Sequence, residues 1–127
     1  MTTPPSVLVV EDNALNLKLI HDVLEHAGFT VLVATSGEDG VDIATRGGLD
    51  LVLMDLQLPG IDGTEAMRRI RAHPVSRKLP VVAVTAFAMR ADREQVSSAG
   101  FDGYIEKPIS IRALPEVVRR HVGLPDG

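Results

Sequence analysis

Short apolar runs alternate with longer amphipathic segments along the whole chain, and this alternation restricts the fold more than any other feature of the sequence. The apolar runs are Val7–Val10, Thr30–Ala34, Leu51–Met54, Val81–Val84 and a weaker one at Gly103–Ile105. Each has about the length of a β-strand and is rich in branched residues. Their hydrophobicity is continuous rather than alternating, which predicts strands covered on both faces, as in parallel sheets.

The segments between these runs have the periodicity of amphipathic helices. We predict one helix with the apolar stripe Leu15, Leu19, Val23 and Ala27, joined by Ile20 and Leu24 and ended by Gly28; a second capped by Ser36; a third capped by Asp62; a fourth near Ala91–Ala99; and a fifth from Ser110 toward His121. Pro115 lies inside the last of these, where the loss of one amide donor is expected to distort the first turns.

Polar residues stand at the ends of the predicted strands. Five strands alternating with five helices predict right-handed βαβ crossovers and a doubly wound α/β sheet, whose ligands bind beyond the carboxyl ends of the strands. The first strand ends in Glu11 and Asp12 and the third in Asp55. The fourth strand ends in Thr85, and Lys107 follows the fifth. The sequence therefore predicts one site assembled from residues far apart in the chain.

The acidic residues of this set indicate a cation site. The carboxylates of Glu11, Asp12 and Asp55 would raise one another's pKa unless a cation compensates. Mg²⁺ prefers oxygen ligands and keeps several waters, which leaves room for phosphate oxygens. In such phosphoryl chemistry Asp55 is the candidate nucleophile. Lys107 would place an ammonium against the transferred group, and Thr85 would donate a hydroxyl hydrogen bond to it.

The composition is that of a single globular domain. The chain has 127 residues, of which 45% are hydrophobic and only 3% aromatic, so the predicted core is aliphatic. The net charge of -4 argues against general nucleic-acid or membrane binding. Without cysteine the chain has no disulfides and no thiolate metal site. Because MTTPPS is no signal peptide and no apolar run approaches ~20 residues, we expect a cytoplasmic protein.

Four motifs carry a resemblance to a known family. VVEDN at 9–13, LMDLQLPGIDG at 53–63, VTA at 84–86 and EKPI at 106–109 resemble the receiver domain of two-component response regulators. The motifs occur in the family's order and span nearly the whole chain. Within the family, VEDNALNLKLIHDVLEHAGF and VAVTAFAMRADRE look most similar to a single-domain cell-cycle regulator.

The resemblance implies a CheY-like fold, with five helices around a parallel sheet of strand order 2-1-3-4-5, in one receiver domain spanning 1–127 with its core at about 6–122. It implies phosphotransfer from a histidine kinase or a histidine phosphotransferase. The chain would catalyse only its own phosphorylation, with dephosphorylation left open, and is not expected to be a turnover enzyme. Since the sequence stops soon after the fifth helix, we expect output through a downstream protein effector or kinase, without direct nucleic-acid or membrane binding. A phosphorylation-dependent dimer is left open.

The resemblance also assigns roles at the site. Asp55 is the phosphoacceptor and a ligand of Mg²⁺. Asp12 ligates Mg²⁺ directly, Glu11 does so through water, and the backbone carbonyl of Gln57 completes the protein's ligands. Lys107 contacts the phosphoryl group.

A switch is implied by two further residues. Thr85 and Tyr104 match the family's switch pair, and a cis bond is expected before Pro108. Attraction of Thr85 to a phosphoryl group would vacate space for Tyr104. The output face would be the fourth helix, fifth strand and fifth helix.

Four alternatives remain open at this stage. One is a receiver domain separated from a hybrid histidine kinase, and another is a degenerate receiver that is not phosphorylated, which the intact acid set and Lys107 disfavour. A phosphatase with an Asp nucleophile on a similar sheet is disfavoured because the haloacid dehalogenase type needs DxD where this chain reads EDN. A flavin-binding domain is disfavoured because no hydroxyl- and glycine-rich loop follows the first strand.

Overall fold

Five strands and five helices alternate strictly in a computed structural model that describes residues 3–86 and 90–123. The elements are β1 Ser6–Val10, α1 Ala14–His26, β2 Thr30–Ala34, α2 Gly37–Thr45, β3 Leu51–Asp55, α3 Gly63–Ala72, β4 Val81–Thr85, α4 Arg90–Ala99, β5 Gly103–Glu106 and α5 Leu114–His121. The ends of the predicted domain, residues 1–2 and 124–127, lie outside the described residues. No helix of the described ranges is long and apolar enough to cross a bilayer.

The strands form one parallel sheet in the order β2-β1-β3-β4-β5. The predicted doubly wound sheet and its strand order are confirmed. The order reverses between β1 and β3, where Val10 pairs with Met54. Glu11 and Asp55 follow these paired residues, so the register alone places them side by side at the carboxyl edge of the sheet.

The core consists of two aliphatic clusters, one on each face of the sheet. All five residues of β3 and of β4 are buried, as the continuous hydrophobicity of these strands predicts. Successive side chains point to opposite faces, so Leu53 joins the cluster beneath α1 and α5 while Met54 joins the cluster beneath α2, α3 and α4. The edge strand β2 differs, because Val33 is exposed there.

A side chain caps the N-terminus of each of the first three helices, and two of these caps are predicted from the sequence. Ser36 Oγ accepts a hydrogen bond from the backbone N–H of Asp39 at 3.1 Å, and Asp62 Oδ1 accepts one from Glu65 at 2.9 Å. Asn13 caps α1 in the same way. Each cap satisfies an amide that has no partner within its helix.

The predicted start of the fifth helix at Ser110 is wrong. Residues 111–113 form turns, and α5 begins at Leu114, with Pro115 in its first turn. The amide that proline lacks would have no helical acceptor at this position, so Pro115 is accommodated without interrupting the helix. Ser110 supports the turn instead, since its Oγ accepts the N–H of Ala113 at 3.2 Å.

The N-terminal half of the apolar stripe predicted for the first helix does not pack against the core. Ile20 and Leu24 are buried, but Leu15 is 78% exposed and Leu19 is 41% exposed. Residues 15 and 20 are separated by about 140° around a helix of 3.6 residues per turn, so one packed face cannot cover both. The surplus apolar arc of α1 therefore faces outward near the carboxyl edge of the sheet.

Candidate active site

The predicted acidic residues meet at the point where the strand order reverses. Glu11, Asp12 and Asp55 each offer one carboxylate oxygen, and these oxygens all lie within 4.8 Å of one another. Glu11 and Asp12 follow β1, and Asp55 ends β3. Because parallel neighbouring strands end at the same edge, residues distant in sequence become neighbours here.

Two of the three carboxylates are withdrawn from solvent. Glu11 and Asp55 are each 2% exposed, whereas Asp12 is exposed at the rim. Lys107 lies against the buried pair, with its Nζ 3.1 Å from Oδ2 of Asp55 and 3.4 Å from Oε2 of Glu11. The lysine supplies one positive charge to two buried carboxylates, so the described site remains rich in negative charge.

The end of β5 holds Lys107 in this position. Its backbone N–H donates to the carbonyl of Thr85 at 2.8 Å, which continues the β4–β5 pairing by one residue. The peptide bond from Lys107 to Pro108 is cis, as the family resemblance implies.

The protonation of Glu11 and of Lys107 reflects their shared surroundings. Burial is the largest effect on Glu11 and raises its pKa, and the neighbouring Asp55 carboxylate raises it further, against the opposing charge of Lys107. Burial by itself lowers the pKa of Lys107, but its contacts with Asp55 and Glu11 outweigh this and raise it. Lys107 therefore stays charged at neutral pH.

The loop after β3 is shaped around Asp55. Oδ1 of Asp55 accepts the backbone N–H of Gln57 at 3.0 Å, which leaves Oδ2 directed toward Lys107. Helix α3 starts directly behind, where Gly63 donates its N–H to the carbonyl of Leu56 at 3.2 Å. A β-carbon at Gly63 would overlap the backbone carbonyl of Asp55, so the close approach requires glycine here.

The turn after β1 fixes the acidic pair. The backbone N–H of Asn13 donates to Oε1 of Glu11 at 3.3 Å, while its side chain caps α1. Asn13 thus shapes the turn that presents Glu11 inward and Asp12 outward. The sequence pattern alone does not show which of the two acids is buried.

The predicted switch residues lie on adjacent strands. Thr85 is buried at the end of β4, next to the paired residues Asp55 and Val84. Tyr104 pairs with Ala83 on β5 and is 38% exposed. Residues 83 and 85 share a face of the sheet, so Thr85 and Tyr104 lie on the same face.

An apolar groove beside the site was missed by the sequence reasoning. It has a volume of about 430 Å³, lies between α1 and the segment after β5, and is lined by Leu19, Ile109, Ile111, Ala86 and Lys107, among others. Lys107 belongs both to this groove and to the acidic site. The over-wide apolar arc of α1 was the signal that could have revealed it.

The oxygen donors fit Mg²⁺ better than a softer metal. Glu11, Asp12 and Asp55 could hold the ion, the family resemblance adds the backbone carbonyl of Gln57, and this set includes no nitrogen or sulfur ligand. Only Asp12 among the acids is freely open to solvent, so water ligands can reach the ion from that side.

Among sequence models of protein families, that of the response regulator receiver domain matches residues 7–119 of the chain. The chain belongs to the response regulator receiver family. As a receiver it is a CheY-like component of two-component signalling, and this confirms the resemblance drawn from its motifs. The phosphatase and the flavin-binding domain are thereby set aside, since they belong to other families.

The more specific resemblance, to one regulator within the family, is also confirmed. It is 40% identical over 120 residues to the polar-differentiation response regulator DivK of Brucella anthropi, covering 94% of this chain and 98% of DivK. The DivK of Brucella ovis is 41% identical over 118 residues, covering 93% and 96%. The receiver is thus similar to DivK over nearly the full length of both.

Solved receiver structures share the fold. The receiver domain of the sensor histidine kinase PA1611 from Pseudomonas aeruginosa has a TM-score of 0.87 and 36% identity, covering 95% of this chain and 99% of that one; its structure has a magnesium ion coordinated in the active-site cleft. A response regulator described as putative from Chloroflexus aurantiacus has a TM-score of 0.88 and 30% identity, with coverage of 95% and 99%.

Proposed function

We propose that this receiver accepts a phosphoryl group on Asp55 from a histidine kinase or a histidine phosphotransferase and signals through a phosphorylation-dependent protein contact. One observation carries the proposal: the buried Asp55 carboxylate directs Oδ2 toward the ammonium of Lys107 at 3.1 Å, within an acidic cluster suited to Mg²⁺. A phosphoryl group on that oxygen would meet a cation and a metal together.

The proposed chemistry is the transfer of a phosphoryl group from a histidine to Asp55. An oxygen of Asp55 attacks phosphorus of the donor's phosphohistidine, a P–O bond forms, and the P–N bond breaks with its electron pair retained by the imidazole. Mg²⁺, when bound, neutralises charge on the transferred group. Lys107 holds the attacking oxygen of Asp55 and, after transfer, an oxygen of the phosphoryl group by its ammonium, and Gln57 orients Asp55 through the N–H bond to Oδ1.

The receiver is in this proposal a phosphoacceptor and not a turnover enzyme. Asp55 is itself the group modified, so each transfer consumes one acceptor until the acyl phosphate is hydrolysed. The chain would catalyse only its own phosphorylation, with catalysis of its dephosphorylation left open. Signal strength then depends on the lifetime of the aspartyl phosphate.

The donor is proposed to bind over the apolar groove beside α1. Leu19 and Ile111 are exposed large apolar side chains that line it, and Lys107 connects the groove to the site. We expect a protein seated there to present its phosphohistidine to the acidic site, which shares Lys107 with the groove. Contiguous exposed apolar surface rimmed by polar residues often marks a protein interaction site.

The output is proposed to run through Thr85 and Tyr104 to the face formed by α4, β5 and α5. A nearly complete switch between two states requires ~5.5 kcal/mol of differential stabilisation. Hydrogen bonds to a charged group contribute roughly 1.5–3 kcal/mol each, so two or three new bonds to the phosphoryl group suffice.

Incubation with Mg²⁺ and acetyl phosphate tests the acceptor. Intact-mass measurement should detect one added phosphoryl group in the wild type and in Asp50→Asn, which removes an exposed carboxylate at the opposite end of β3. Asp55→Asn should remain unlabelled. Labelling that persists in Asp55→Asn, or that is unaffected by EDTA, would refute the proposal.

A further inference from the structure

The loop between β3 and α3 carries the Gln57 carbonyl, which the family resemblance implies is a ligand of Mg²⁺, so the position of this loop would affect the metal site. Asp55 fixes the start of this loop through the N–H of Gln57. Leu58 and Ile61 pack partly buried against the core and fix its inner side. A further contact reaches the loop from helix α2, which contributes nothing to the acidic cluster itself.

The first turn of α2 lies directly against this loop. A β-carbon at Gly37 would be 2.9 Å from the carbonyl oxygen of Ile61, so the two backbones are in close contact. The next residue, Glu38, extends its carboxylate across the loop, and its Oε2 accepts the backbone N–H of Ile61 at 3.5 Å. Helix and loop are therefore joined by backbone packing and by one side chain.

The same carboxylate also covers Gly60. A β-carbon at that position would lie 2.6 Å from Oε2 and 3.1 Å from Oε1 of Glu38. Gly60 has a φ of +75°, a conformation that residues with a β-carbon rarely adopt. The turn at Gly60 is thus formed by a residue that permits both the left-handed backbone and the approach of Glu38.

We infer that Glu38 is a positioning residue for the metal site, an inference that rests on the proposed function. By holding Gly60 and the N–H of Ile61, it restrains the outer end of the loop while Asp55 restrains the inner end. The Gln57 peptide lies between the two restraints. Glu38 itself does not join the acidic cluster, so its loss should weaken Mg²⁺ binding without removing a ligand.

Calorimetric titration of the full chain with Mg²⁺ tests this role. Glu38→Ala should bind Mg²⁺ about fivefold more weakly than the wild type. Glu38→Gln keeps a carbonyl oxygen that can accept from Ile61 and should recover most of the affinity. Asp39→Ala is the matched control, because it removes an exposed carboxylate from the same turn of α2 and should leave the affinity unchanged.

Amide chemical shifts provide a readout that does not depend on phosphorylation. In Glu38→Ala the amides of Ile61 and Gln57 should shift, whereas in Asp39→Ala they should stay in place. Equal Mg²⁺ affinity and unmoved amides in Glu38→Ala would overturn the inference, as would equal weakening by Asp39→Ala, which would indicate a general charge effect. Failure of the wild type to bind Mg²⁺ and to be labelled on Asp55 would instead overturn the proposed function.

Discussion

The ammonium of Lys107 lies 3.1 Å from Oδ2 of Asp55, although the two residues are 52 positions apart in the chain. The cation approaches from the end of β5, and the carboxylate ends β3, with β4 between them. The lysine thus lies beside the oxygen that is proposed to accept the phosphoryl group.

Replacement of Lys107 should slow phosphorylation. Lys107→Ala removes a charge-assisted hydrogen bond to the reacting group, worth roughly 1.5–3 kcal/mol, so labelling by acetyl phosphate should slow roughly 10- to 100-fold. Lys78→Ala, which removes an exposed lysine at the opposite edge of the sheet, is the control. An unchanged rate in Lys107→Ala would show that the lysine does not assist transfer.

The stability of the metal-free receiver should depend on pH through Glu11. Burial and the Asp55 carboxylate raise its pKa above the ordinary 4.5, so between 4.5 and the raised value the folded chain holds a proton that the unfolded chain has released. Stability in EDTA should therefore fall as pH rises through this window. In thermal unfolding measurements, Glu11→Gln should lack this decline. At neutral pH the variant should be more stable than the wild type by on the order of 1 kcal/mol, or roughly 4 °C in melting temperature.

Added Mg²⁺ provides the complementary test of Glu11. In the wild type the ion should restore the stability lost at neutral pH, because it compensates the crowded carboxylates. Glu11→Gln should respond less. A wild type whose melting temperature is indifferent to both pH and Mg²⁺ would contradict the assigned charge crowding.

Substitution on the exposed apolar arc of α1 should slow phosphorylation by a protein donor without affecting phosphorylation by a small-molecule donor. Leu19→Ala removes apolar surface from the proposed donor contact, and burial of a leucine contributes ~1.5–3 kcal/mol, so the KM for a phosphorylated histidine phosphotransferase should rise about tenfold. Labelling by acetyl phosphate should not change. Val75→Ala, an exposed apolar residue before β4, serves as the control, and an equal loss with both donors would rule out a docking role.

Thr85 should couple phosphorylation to output. Thr85→Ala is expected to remain phosphorylated on Asp55 while losing the difference in partner affinity between the two states, and Thr85→Ser, which keeps the hydroxyl, should retain it. Titration of an output partner with each form measures the difference. If the partner affinities of phosphorylated and unphosphorylated Thr85→Ala differ as much as they do in the wild type, Thr85 has no switch role.

Local sequence determined the elements of this protein and the chemistry at their ends. Runs such as Leu51–Met54 favour strands buried on both faces, and Ser36 and Asp62 cap helices through bonds to amides three residues on. Once the strands are parallel, topology by itself brings Asp12 and Asp55 to one edge. These conclusions depend on periodicity and short-range bonds, which the sequence contains directly.

Tertiary packing decided the remaining features. Whether Leu15 faces the core or the solvent depends on how wide a face the sheet presents to α1, and burial of Glu11 rather than Asp12 depends on the register of β1 with β3. The contact of Glu38 with Ile61 exists only because α2 packs beside the loop after β3. Periodicity identifies an apolar or charged residue, but only the neighbouring elements determine what that residue meets.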